Sequence, residues 1–242
     1  MQASDAYSLH AFWHQRRESA EECAERAIRL FRSLGELNGA FSNWYGLGRS
    51  RQEALQRRLP LEEQPIAELL RRQHKRSRRA GGTEDSGFPI VLWNGDEDVA
   101  SVGVQLRCGS YARSLRNHFG MNFPRAEDRL EPLLEPDLLT GIFRCVVSTL
   151  DPEWAVLTVY RRLIGPEPLG WEPEIHWWTF LSARLGSVPA LPPPARTVPL
   201  GPSGSLIVAT DERFDSQNPR HVAAVANVRD SLKRAGFGLS GP

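Results

Sequence analysis

Cysteine and lysine are scarce in this chain, and long apolar runs are missing. The three cysteines, Cys23, Cys108 and Cys145, are odd in number and far apart and have no C-x-x-C spacing, which disfavours a disulfide framework and a structural zinc site. No apolar run approaches the roughly 20 residues that cross a bilayer. The polar start, residues 1–10, lacks the pattern of a secretory signal. We therefore expect a protein of the cytoplasm that keeps its thiols reduced and does not interact with membranes.

Motifs that bind phosphate or activate a nucleophile are missing as well. There is no G-x-x-x-x-G-K-[ST], no G-x-G-x-x-G after a strand and no G-x-S-x-G. The six histidines form no H-E-x-x-H motif, and His10 and His14 would lie about 13 Å apart on a strand, too far for one zinc ion. The sequence therefore predicts neither catalytic residues nor a cofactor nor a metal ion.

The charges balance, with 30 Lys and Arg against 29 Asp and Glu, but their distribution is uneven. Arg71–Arg79 holds six basic residues and His74 within nine positions. Such a run can grip a phosphate backbone, so a nucleic-acid adaptor is one alternative. No aromatic residue interrupts the run and glutamates flank it, which favours a solvated helix end and makes nucleic acid an unexpected partner.

Helical and strand patterns are segregated along the chain rather than alternating. Residues 18–37 have a helical period with Gly35 as a plausible end, and the run Arg71–Arg79 is expected to fall beyond the next helix. Residues 89–93 and 99–106 flank Asn94-Gly95, which is a hairpin signature, and 110–119 supplies a third strand. Further expected elements are strands at 7–13, 154–160 and 206–209 and helices at 51–59, 65–70, 137–149 and 219–235. The predicted fold is α+β, a single domain over residues 1–242 with a mainly antiparallel sheet and helices packed against it.

Proline dominates residues 165–203, which we expect to be irregular but packed on the protein through Trp171, Trp177 and Trp178. Glu172, Glu174 and His176 in the same stretch could act as an acid–base cluster. A small-ligand or catalytic domain using Trp171–His176 is therefore a second alternative. We favour a polar rim around an aromatic binding surface.

Two N-terminal segments carry a family resemblance. One is Phe12-Trp-His-Gln-Arg-Arg-Glu-Ser19, and the other runs from Phe41 through Trp44-Tyr45 and Arg51 to Leu55. Together they resemble the immunity protein 52 family of polymorphic toxin systems. The resemblance implies an α+β protein encoded beside a toxin with a restriction-endonuclease-like domain, as in type VI secretion effector–immunity pairs. It implies no catalytic residue, and it makes the cognate toxin the expected partner.

An inhibitor of a nuclease can cover the basic substrate groove with opposite charge and aromatic anchors. The first candidate surface for toxin binding is acidic, and the second is aromatic. The acidic candidates are Asp96, Glu97 and Asp98, with Glu84 and Asp85 nearby in sequence, and the aromatic candidates are Trp171, Trp177 and Trp178. Whether inhibition covers the active site or blocks assembly of the toxin stays open at this point, as does the oligomeric state.

Overall fold

The computed structural model describes residues 5–161 and 173–239, and these contain six α-helices and nine strands. The helices are α1 (Ala20–Leu37), α2 (Arg51–Leu55), α3 (Glu63–Arg79), α4 (Glu127–Leu130), α5 (Pro136–Leu150) and α6 (Pro219–Arg234). The strands are β1 (Asp5–Trp13), β2 (Tyr45–Gly46), β3 (Phe88–Trp93), β4 (Gly103–Cys108), β5 (Asn117–Asn122), β6 (Trp154–Arg161), β7 (Trp178–Ser182), β8 (Arg196–Pro199) and β9 (Gly204–Val208).

The strands form one sheet in the order β2-β3-β4-β5-β1-β6-β7-β9-β8. The pairs β2–β3, β3–β4, β4–β5, β6–β7, β7–β9 and β8–β9 are antiparallel. Helices accompany this sheet, which confirms the predicted α+β class. The described residues group into two compact units, residues 12–151 and the combination of 1–11 with 152–242. The prediction of a single domain stays a prediction.

Helix α1 organises the helical layer of the 12–151 unit. Ser19 caps its first turn, and the side chains of Ser19 and Glu22 each accept a hydrogen bond from the other residue's backbone N–H. The apolar stripe of α1 is buried and packs on α3 and α5. Arg26 donates to the Thr149 carbonyl at the end of α5 (2.7 Å) and to Glu18 (2.6 Å).

Three helix boundaries differ from the sequence prediction. Helix α2 ends at Leu55 instead of residue 59, because Arg58 forms a β-bridge with Tyr45. Helix α1 continues past Gly35 to Leu37, because Gly35 lacks the positive φ of a helix-ending glycine; the helix ends instead at Asn38, whose backbone is extended. Helix α3 starts at Glu63 and continues through the basic run to Arg79. No glycine or proline interrupts that run, and arginine favours helix.

The predicted hairpin is confirmed, with Phe88 opposite Cys108 and Trp93 opposite Gly103. The third strand begins at Asn117 rather than Ser110. Asn117 explains this difference, because its side chain bonds both backbone groups of Ser110 and the His14 carbonyl and so holds the preceding residues in a loop.

The proline-rich stretch is less irregular than predicted. It contains β7, which pairs with β6 and β9, and β8, which pairs with β9. Its prolines within residues 173–203 lie outside the strands or at the end of β8, the last strand in the sheet order, where a missing N–H costs no central ladder bond.

Candidate partner-binding surface

The β3–β4 loop, which carries the predicted acidic residues, is held by side chains on both sides. Asn94 donates to the Asp96 carboxylate (2.9 Å) and accepts from the Val102 N–H (3.1 Å). Arg51 donates to the Gly95 carbonyl from the start of α2 (3.1 Å). The loop therefore presents its acidic side chains from a fixed backbone.

Helix α4 adds charge beside this loop. The N–H groups of Arg125 and Ala126 both donate to the Val99 carbonyl, at 2.6 and 2.8 Å, and this places the first turn of α4 against the loop. That turn contains Glu127 and Asp128. Asp96 and Asp128 line one cavity of about 320 Å³.

The result is an acidic surface, defined here as Asp96, Glu97, Asp98, Glu127 and Asp128. All of them except the half-buried Asp96 are exposed. Arg125 lies 3.4 Å from the Asp98 carboxylate, and Arg129 lies 4.0 Å from that of Asp128. Such solvated pairs are weak, and five carboxylates outnumber the guanidinium groups of Arg51, Arg125 and Arg129, so the surface attracts cations.

Sequence reasoning missed Glu127 and Asp128. The sequence offered one signal, a pair of acidic residues in the first turn of a predicted helix. Acidic residues at that position usually do no more than interact favourably with the helix dipole. Their proximity to the hairpin depends on the two bonds to Val99, which no local pattern reveals.

Glu84 and Asp85 do not join the acidic surface. They precede β3 whereas Asp96 follows it, and the strand alone separates them by about 17 Å. The Asp85 carbonyl accepts from the backbone N–H groups of Tyr111 and Ala112, so this segment serves the neighbouring loop. Toxin binding by Glu84 and Asp85 therefore stays a prediction that is separate from the acidic surface.

The second predicted surface is buried where the structure describes it. Trp177 is 2% exposed and Trp178 is 1% exposed, and the Trp177 indole donates to the Thr210 carbonyl at 2.9 Å. These rings pack inside the unit and offer little area to a partner. Trp171 lies outside the described residues. We therefore do not carry the tryptophans into the proposed interface.

The predicted acid–base cluster gains no support from the part of it that the structure describes. Burial lowers the pKa of His176 to about 4, with a further contribution from Arg229, and the ring lies 5.5 Å from that of Phe214. Glu174 is half-buried, and Glu172 lies outside the described residues. A neutral imidazole against a phenyl ring is a packing arrangement and gives no support to catalysis here.

The basic run is distributed around α3 instead of forming one face. Arg71 pairs with Glu21 of α1, while Arg72 and Arg76 line one cavity and Lys75, Arg78 and Arg79 line another. A phosphate backbone would meet only part of this charge, so the helix does not favour a nucleic-acid adaptor.

The motif residues behind the family resemblance support the β3–β4 loop. The Trp44 ring is buried against Phe31, with 5.1 Å between centroids, and Tyr45 lies 6.2 Å from Trp93. A Cβ on Gly95 would meet the Tyr45 ring at 2.6 Å, so glycine is needed there for this contact. Together with Arg51, these residues support the β3–β4 loop that carries part of the acidic surface.

Among residues 5–161 and 173–239, no group of three or more His, Cys, Asp or Glu side chains could hold a metal ion. Within the same residues, each helix is too short or too polar to span a bilayer.

One of three comparisons with known proteins identifies a family. A solved structure, the T6SS protein PA0821 of Pseudomonas aeruginosa, is similar over 100% of this chain and 77% of its own, with a TM-score of 0.56 and 13% identity. At this identity the likeness shows the fold alone. A search of curated proteins gave no match. The sequence profile described as immunity protein 52 matches residues 5–239. The chain therefore belongs to the immunity protein 52 family.

Proposed function

We propose that this protein binds and neutralises a cognate bacterial toxin, and that the toxin is a nuclease effector delivered by a type VI secretion system. Membership of the immunity protein 52 family over residues 5–239 is the observation that carries the proposal. The choice of secretion system is supported by the fold likeness to a T6SS protein of Pseudomonas aeruginosa. The protein acts stoichiometrically by binding and performs no reaction on the toxin.

The acidic surface is the proposed contact with the toxin. A nuclease must hold a polyanion, so its substrate groove is basic, and carboxylates on a well-supported loop can occupy the phosphate positions. Asn94, Gly95 and Asp96 are tied by the side-chain bonds described above, which lowers the entropy lost when the loop binds. This complementarity favours covering the active site over blocking toxin assembly.

Co-expression with the toxin encoded beside this chain tests the general proposal. We expect growth to be rescued and a complex of fixed stoichiometry to be purified. A toxin that stays lethal, with no complex on gel filtration, contradicts the immunity function. Rescue from a toxin that cleaves neither DNA nor RNA in vitro would remove only the nuclease assignment.

Charge reversal tests the contact surface. Replacing Glu97 and Asp98 with lysine should weaken the complex at low salt by tenfold or more, about 1.4 kcal/mol, because attraction becomes repulsion. The matched control is E25K/D230K, which changes the net charge equally at exposed positions outside the acidic surface. Equal affinities of the two variants, measured by calorimetry, would exclude the acidic surface as the contact.

A further inference from the structure

Two of the three cysteines lie close together inside the 12–151 unit. Cys23 belongs to the first turn of α1, and Cys108 is the last residue of β4. Both side chains are fully buried, whereas Cys145 on α5 is half-buried. Separation along the sequence disfavoured a disulfide framework, but the fold removes this separation for one pair.

The elements that carry the pair direct both side chains into the interior. In β4 the alternate residues Val104, Leu106 and Cys108 are buried, and the residues between them are exposed or half-buried. In α1, Cys23 lies one turn before Ala27 within the buried stripe. The two thiols therefore face the apolar core and not solvent.

The chain before α1 runs beside the chain after β4. The Arg16 N–H donates to the Ser110 carbonyl at 2.8 Å. A Cβ built on Gly109, the residue that follows β4, would lie 3.0 Å from the Glu18 carbonyl oxygen and 3.2 Å from the Cys23 sulfur. The φ of Gly109 is +73°, which suits glycine, and its lack of a Cβ lets the Cys23 sulfur come close. The start of α1 is therefore held against the end of β4.

The two thiols lie within hydrogen-bonding reach of each other. Contact with the Cys108 thiol, together with burial, raises the pKa of the Cys23 thiol far above its usual range. Thiolate is the reactive form in thiol–disulfide exchange, so the folded, closed protein reacts slowly with oxidants. Oxidation therefore takes place while the chain folds or during local opening, and the native fold then keeps the two sulfurs together.

We propose that Cys23 and Cys108 are a site of oxidation and form a disulfide bond that links α1 to β4. The oxidant is a small-molecule disulfide such as oxidised glutathione. The thiolate of one cysteine attacks the oxidant and releases one small thiol, and the other cysteine then attacks the protein sulfur of the mixed disulfide and releases the second. The two protein thiols lose two electrons and two protons, which reduce the oxidant to two thiols.

The bond ties the first helix to the sheet of the 12–151 unit. It closes a loop of about 85 residues, which restricts the unfolded chain and should raise the melting temperature by about 10 °C. This inference does not rest on the proposed immunity function, because it concerns a bond within the chain itself.

Refolding under two redox conditions tests the proposal. Wild-type chain is refolded from denaturant in excess dithiothreitol or in a mixture of reduced and oxidised glutathione. Alkylation in denaturant should then find three thiols in the first sample and only that of Cys145 in the second. A non-reduced digest of the second sample should contain a peptide pair that joins Cys23 to Cys108. If refolding is inefficient, folded protein incubated in the same mixtures below the urea unfolding transition provides the same comparison.

Single substitutions identify the cysteines responsible. C145A should keep the difference of about 10 °C between the oxidised and reduced samples, whereas C23A and C108A should each remove it. The digest of the wild type makes the same assignment if a core variant does not fold.

Three outcomes would overturn the proposal. One is a wild-type chain that keeps three alkylatable thiols under both conditions. Another is a bond that involves Cys145, or glutathione that stays attached to Cys23 or Cys108. The third is a cross-linked protein that melts no higher than the reduced one, because the native fold would then not accommodate the bond.

Discussion

Two histidines of the unit formed by residues 1–11 and 152–242 are kept neutral by their surroundings. Burial lowers the pKa of His10 to about 4, and burial together with Arg229 lowers that of His176 to about 4, from an ordinary value near 6.5. In the unfolded chain both imidazoles regain the ordinary pKa and bind a proton more readily than in the folded chain. The stability linked to them is complete above about pH 6.5 and is lost as the pH falls towards 4.

For His176 this loss can be isolated with one substitution. When the pH is lowered from about 7 to about 4.5, protonation of His176 in the unfolded chain should lower the wild type's free energy of unfolding by about 2 kcal/mol. H176Q does not titrate, so its stability should fall by about that much less over the same interval. Urea unfolding of both proteins at the two pH values measures the difference, and parallel losses would show that His176 is not buried as described.

Local sequence determines where the helices begin, whereas their ends also depend on the backbone conformation that the fold imposes. Ser19 and Glu22 form the capping box of α1, and Ser50 caps α2 through the Glu53 N–H. These starts are readable from the sequence because a cap depends only on neighbours three residues apart. The end of α1 was mispredicted at Gly35, because a glycine ends a helix only when its φ is positive, and Gly35 keeps the helical backbone.

The cap of α1 gives a prediction for this element. S19A removes the acceptor of the Glu22 N–H, and we expect it to lower the unfolding free energy by about 1 kcal/mol. S19D retains an acceptor at the helix N-terminus and should stay within a few tenths of a kcal/mol of wild type. Chemical unfolding of the three proteins under identical conditions provides the comparison, and an unaffected S19A would mean that tertiary packing alone starts the helix.

For the molecule as a whole, nearly balanced charge conceals local surfaces of opposite sign. The chain has a formal net charge of +1, yet the acidic surface and the second half of α3 carry opposite charges. A partner therefore meets these local fields at close range, and net charge predicts neither the partner nor the site of contact.

This distribution predicts how toxin binding responds to salt. The association rate should fall by about tenfold or more between low and high ionic strength, while the dissociation rate changes little, because screening acts mainly on the encounter. E97K/D98K should flatten this dependence, and E25K/D230K should preserve it. Stopped-flow or surface-based kinetics over a salt series measure both rates. A wild-type association rate that stays constant with salt would show that electrostatics does not steer the encounter.

The sequence alone determined the fold class, most elements and the hairpin that carries Asp96, Glu97 and Asp98, because periodicity, caps and turn residues act over a few positions. Tertiary structure decided which of these residues meet. It brought Glu127 and Asp128 beside the hairpin, separated Glu84 and Asp85 from it, and buried Trp177 and Trp178. These outcomes depend on contacts between residues far apart in the chain, and no local pattern encodes such contacts.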